Sequence, residues 1–155
     1  MEKRFFVVIH TITNGLQHAF DQAKLAKEAG AHGVFLIPDY MKGHKRATTE
    51  DQFLYLKELK RNLLDFPIGI NFLKPLPNIY FAEPDFLQTD SSAVSAVQKK
   101  QLPKTKFFLG LAFKYSKSVH LTGNALREHC KNVSALADVP TTSGDATGSA
   151  ASIEK

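Results

Sequence analysis

Apolar runs of strand length alternate along this chain with segments whose apolar residues recur every three or four positions. Phe5-Phe6-Val7-Val8-Ile9 opens as a continuous run, the pattern of a strand buried on both faces. Leu16, Phe20, Ala23 and Ala26 follow at helical spacing, and Ala29-Gly30 supplies a stop. Val34-Phe35-Leu36-Ile37 reads as a second strand, broken by Pro38. Thr49 and Gln52 have capping-box spacing, and Phe53, Leu56, Leu59 and Leu63 continue as an amphipathic helix. Pro67–Phe72 is a third strand, Phe86–Thr89 a weaker fourth, and Phe107–Phe113 a long fifth. A helix is expected through Ser92–Lys99 and another around Leu126, Cys130 and Val133. Val139–Thr142 is a short sixth strand, and Ala150–Lys155 the opening turn of a further helix.

Strand and helix in strict alternation call for a parallel sheet with helical crossovers. A doubly wound sheet would carry Gly-x-Gly-x-x-Gly after the first strand; the residues there are His10-Thr11-Ile12-Thr13-Asn14-Gly15. The expectation is therefore an α/β fold of the TIM type. It is a partial (β/α)8 barrel of about six βα units, in one domain over residues 1–155, with strands seven and eight missing. Pro75, Pro77 and Pro84 leave little room for a helix in the third crossover, which is expected to be shortened. Exposed sheet edges would then favour self-association.

Composition narrows the function classes. At 155 residues, 43% hydrophobic and 23% charged, the chain matches an ordinary globular domain. No apolar run approaches a membrane span, and no signal-peptide pattern opens the chain, so a cytoplasmic protein is the simplest expectation. The single cysteine, Cys130, excludes an internal disulfide and lies on the apolar stripe of its helix, where packing explains it. The net charge of +5 comes from scattered lysines and arginines without interleaved aromatics, which argues against nucleic acid as a partner. Nothing in the pattern requires a metal or an organic cofactor.

In a barrel, the loops leaving the C-terminal ends of the strands converge and carry the chemistry. On that rule the candidates are His10 after strand one, Asp39 after strand two, Asn71 at strand three and Asp90 at strand four. Lys114 follows strand five and Thr142-Ser143-Gly144 strand six. Lys114 follows a long apolar run; desolvation would make it a nucleophile or base, or its ammonium could be fixed against Asp90 or Asp39. Asp39 and Asp90 suit acid–base work or oxygen ligation of a divalent cation, and also suit capping of the helices that follow them, Asp90 above all with Ser91 and Ser92 beside it. His10 has the titration range for proton transfer, or is a hydrogen-bonded structural residue. Ser143, Gly144, Thr147 and Gly148 lie in a loop whose small residues and free N–H groups could cradle an anion, or form a capped turn.

Several segments resemble the BtpA-like family of TIM barrels, named after a photosystem I biogenesis factor. They are Gly110-Leu111-Ala112-Phe113-Lys114-Tyr115, Thr141-Thr142-Ser143-Gly144-Asp145-Ala146-Thr147-Gly148, Pro67–Leu73 and Glu28–Ile37. The chain is more similar to the non-photosynthetic branch, since Thr11-Ile12-Thr13-Asn14 replaces a proline- and glycine-rich turn. The resemblance implies a ribulose-phosphate-binding type of barrel and weights the strand-six loop toward ligand contact. Two functions follow from it: binding or conversion of a small phosphorylated or anionic metabolite, or a non-catalytic assembly factor. An inactive, truncated gene product is the third reading.

Overall fold

The computed structural model describes residues 8–13, 15–38, 49–72, 83–111 and 120–142, with backbone alone at 8–13, 37–38, 49–53, 72 and 93. The strands are β1 (Val8–Thr13), β2 (Gly33–Pro38), β3 (Ile68–Phe72), β4 (Phe86–Asp90), β5 (Lys106–Leu111) and β6 (Val139–Thr142). The helices are α1 (Leu16–Glu28), α2 (Thr49–Asn62), α3 (Ala96–Gln101) and α4 (Gly123–Leu136), with one 3-10 turn at Ser91–Ala93. Strand neighbours follow chain order, β1-β2-β3-β4-β5-β6. β1 with β2, β2 with β3, and β5 with β6 are parallel. That order lacks the reversal of a doubly wound sheet. By contact the chain divides into two compact units, one holding β1 to β3 and the start of β4, the other the end of β4, β5 and β6.

In the first unit, alternation sorts the strand residues onto two faces. Val34, Leu36, Ile68 and Ile70 are buried and share one face by register. On α1, Ala19, Ala23 and Ala26 are buried at helical spacing, and on α2 Leu56 and Leu59 are fully buried. Burying a leucine or isoleucine side chain contributes about 1.5–3 kcal/mol, so this layer accounts for much of the unit's stability. α1 ends where Gly30 takes φ +83°, with Ala31 N–H bonded to Ala26 O at 3.0 Å, a Schellman-type close that favours glycine.

The opposite face of the same strands is organised by one ring. Phe86 stacks on Phe35 with centroids 4.6 Å apart and planes tilted by 60°. It can do so because β2 and β3 offer glycine beneath it. A Cβ on Gly69 would fall 1.8 Å from Phe86 Cδ2 and 2.6 Å from Phe86 O, and one on Gly33 would fall 2.7 Å from Phe86 Cζ.

In the second unit Phe107 and Leu109 are fully buried, and Leu102 and Val133 nearly so. Phe107 lies under α3, where Lys99 Nζ sits 5.7 Å from its ring centroid. α3 begins late because two local caps compete before it. Asp90 accepts from Ser92 N–H and closes the 3-10 turn; Ser95 and Gln98 then form a capping box that starts the helix.

Two sequence expectations shift. β1 continues past Ile9 to Thr13, because pairing with Gly33–Pro38, rather than apolar content, sets its far end; Phe5–Val7 of the expected run lie outside the described residues. The helix expected from Ser92 becomes a 3-10 turn followed by a six-residue helix. The shortened third crossover falls on residues 73–82, and the last helix on residues after 142, outside the described ones.

Candidate functional site

Two lysine–aspartate groups stand at the N-terminal ends of strands, in the same arrangement in each unit. Asp138 stands just before β6. Its Oδ2 accepts from Phe107 N–H at 2.8 Å, and its own N–H donates to Phe107 O at 2.9 Å. Lys99 closes the group, 3.4 Å from Asp138 Oδ2 and donating to Leu136 O. Asp85 stands just before β4. Its Oδ2 accepts from Ile68 N–H at 2.9 Å, its N–H donates to Ile68 O at 2.9 Å, and Lys60 pairs with its Oδ1 at 3.1 Å while donating to Glu83 O. In both groups the lysine lies eight positions before the gripped strand residue (60 to 68, 99 to 107) and the acceptor carbonyl two before the aspartate.

Burial pushes the Asp138 carboxyl up, but the Phe107 N–H bond, Lys99 and Lys106 outweigh it, holding the group below the ordinary carboxylate value. Both groups align neighbouring strands, since each aspartate holds one strand residue by its N–H and by its carbonyl. Sequence reading passed over these four residues. Their signal was an aspartate directly before a strand, with a lysine at a fixed distance ahead of the neighbouring strand.

The C-terminal strand ends of the second unit differ, because polar atoms there are buried without partners. Asp90 ends β4. Its Oδ1 accepts from Ser92 N–H at 2.9 Å and from Ser92 Oγ, but its Oδ2 is buried and unbonded. Thr141 Oγ1 on β6 is likewise buried and unbonded. On β4 Leu87 and Thr89 alternate with the half-buried Gln88 and Asp90; on β5 Phe107 and Leu109 lie on one side, and the half-buried Phe108 and the buried Gly110 on the second. Register pairs Gly110 with Thr141, placing Thr141 on that second side. β5 lies between β4 and β6 and contributes only Gly110 at the level of Thr141, with no side chain. Thr89 Oγ1 is also unbonded, but its residue is 1% exposed on the helix-covered side.

Directly after Asp90, Ser91 is buried, and its Oγ lies 3.2 Å from His129 Nε2 on α4. This bond ties the 3-10 turn to the helix, and His129 is half-buried there. Cys130 beside it is half-buried and a free thiol.

The other expected site residues take these places. His10 lies within β1, opposite Phe35, and Thr13 ends that strand, so His10 is not a strand-end residue. Asn71 is half-buried near the end of β3. Thr142 ends β6 and is exposed. Asp39, Lys114, Ser143, Gly144, Thr147 and Gly148 lie outside the described residues. Among the described residues no group of three or more His, Cys, Asp or Glu could hold a metal ion. None of the helices described is long and apolar enough to cross a membrane.

No family model matches the chain, and no curated protein matches it. Among solved structures it is similar to a monomeric dihydrodipicolinate synthase variant, at 14% identity and a TM-score of 0.51. The match covers 68% of this chain and 40% of that one. At this identity the likeness is one of fold: an α/β protein of TIM-barrel-like architecture.

Proposed function

We propose that the C-terminal strand ends of the second unit hold a small metabolite with an anionic part, and that the unbonded Asp90 Oδ2, which calls for a donor group on a guest, is the observation that carries the existence of a site there. A buried carboxylate oxygen without a donor costs more than the roughly 1–3 kcal/mol of a neutral orphan group, so a structure retains it where a ligand can relieve it. Thr141 Oγ1 repeats the feature two strands away. The anionic part of the guest belongs away from Asp90. The loop of Ser143, Gly144, Thr147 and Gly148 supplies small residues and N–H groups for it, and Lys114 a cation.

The BtpA-like relationship is part of the same proposal, supported by the segments quoted above. It favours a phosphorylated guest and, where conversion occurs, Lys114 as the base or nucleophile.

The test is calorimetric titration of the chain with a panel of small phosphorylated metabolites, repeated on Lys114→Ala. Binding by at least one member, weakened about tenfold or more in the variant, is expected. No binding across the panel would end this reading.

A further inference from the structure

A groove lies in the first unit between the start of α1 and the end of α2. Its volume is about 260 Å³, and Leu16, Gln17, Phe20, Glu58, Leu59 and Asn62 line it. Leu16 and Phe20 are half-buried and Leu59 is fully buried, so the floor is apolar and carries one aromatic ring. The space falls just under the roughly 300–1,000 Å³ of drug-sized sites and suits a single ring or a short chain.

The polar lining is selective in sign. Gln17 Nε2 donates to Asp21 Oδ1 at 2.9 Å, and Asn62 Nδ2 donates to the Glu58 carbonyl at 2.7 Å. A carboxylate and a carbonyl only accept, so each amide nitrogen is held by its partner and each amide oxygen is left for a guest. The Glu58 carboxylate has no hydrogen bond or ion pair among the described residues. Lys24 pairs with Glu28 and Lys60 with Asp85, and no basic side chain lines the groove among the described residues. Two neutral acceptors and one negative charge therefore stand over an apolar floor. The dipole of α1 opposes a cation at its first turn, which puts the positive charge of a guest on the Glu58 side.

We infer that this groove is a second ligand site, separate from the strand ends, and that it takes a small organic cation bearing N–H groups on an apolar body. The cation pairs with Glu58 and donates to the Gln17 and Asn62 oxygens. The body lies on Leu16, Leu59 and the Phe20 ring, whose face also attracts positive charge. An anion meets the Glu58 charge, and a quaternary ammonium has no hydrogen to give the amide oxygens.

The experiment titrates the full chain with benzylammonium, benzyltrimethylammonium and benzyl alcohol, followed by amide NMR shifts. The three share one ring and differ in the headgroup. Benzylammonium should bind at least about fivefold more tightly than either of the others, the scale of a partly exposed charge-assisted bond. The shifts should gather at residues 16–20 and 58–62. Glu58→Gln keeps side-chain length and helix propensity, and should bring benzylammonium down to the level of benzyl alcohol while leaving benzyl alcohol unchanged. Phe20→Leu should weaken benzylammonium and benzyl alcohol alike, by severalfold. Equal affinity for the three ligands, a preference that survives Glu58→Gln, or shifts gathered elsewhere would each overturn the inference. Absence of binding by all three would overturn it as well, and none of these outcomes bears on the strand-end reading.

Discussion

Asp138 holds Phe107 by both of its main-chain groups, accepting from the Phe107 N–H at 2.8 Å and donating to the Phe107 carbonyl at 2.9 Å. One residue thus sets the start of β6 against the start of β5, and Lys99 neutralises the charge that does it. Asp85 and Ile68 repeat the relationship in the other unit, with Lys60 in the role of Lys99. A shift of one residue in a strand exchanges its two faces. The Asp138 clamp therefore protects the register that pairs Gly110 with Thr141.

The Asp138 clamp gives a pH dependence with a definite sign. Its carboxyl lies below the ordinary value in the folded chain, so the folded state holds fewer protons around that value. The stabilisation is complete above the unfolded pKa of about 3.9 and is lost as pH falls through the lower folded value. Denaturant unfolding between pH 6 and 2.5 should show a steeper acid decline for the native chain than for Asp138→Asn. Parallel curves would deny the clamp its charge.

Removing the clamps outright should cost stability in each unit separately. Asp138→Ala and Asp85→Ala each remove an acceptor from a strand N–H, at roughly 1–3 kcal/mol. The two groups share no partner, so the double variant should lose the sum within about 0.5 kcal/mol in urea titrations. The Lys60–Asp85 pair is partly exposed, and its coupling in a double-mutant cycle should stay at or below about 1 kcal/mol.

Gly69→Ala should prevent folding or cost more than about 3 kcal/mol, beyond ordinary overpacking, because its Cβ meets both the ring and the carbonyl of Phe86. Gly33→Ala meets the tip of the same ring and Pro67 O at 2.9 Å, and should cost less. Adding Phe86→Leu should recover more of the loss at position 33 than at 69, since the 2.6 Å clash with Phe86 O remains. Melting temperatures of the four variants check this ordering.

In the helix layer, Leu56→Ala and Leu59→Ala each open a cavity beneath a fully buried position and should cost about 2–5 kcal/mol. Leu64→Ala, at a residue 82% exposed, should change stability by less than about 0.5 kcal/mol. Chemical denaturation of the three variants separates the two environments.

Much of the fold was legible because its strands are buried on both faces and read as unbroken apolar runs: Val34–Ile37 and Phe107–Leu111 fell where expected. The end of β1 was not legible because Thr11 and Thr13 interrupt apolarity without interrupting a strand; pairing with β2 extends it to Thr13. α3 was misplaced because Asp90 and Ser95 divert the backbone into caps, a choice made by side-chain geometry rather than periodicity. At the candidate site, Asp90 was legible by position alone. Its capping role and its acid–base role were both open, and the structure shows one oxygen in the first while the second stays buried and unbonded. Thr141 was not legible, since only the register pairs it with Gly110.

The most direct test of a ligand site at the C-terminal strand ends is amide NMR shift mapping of the chain titrated with glycerol 3-phosphate. The expected result is shifts concentrated at Ser91 and Ser92, at Gly110 and Leu111, and at Thr141 through Gly148. Shifts concentrated instead around Lys99, Lys106 and Asp138, the basic cluster at the N-terminal strand ends, would contradict the account, as would a titration that moves nothing.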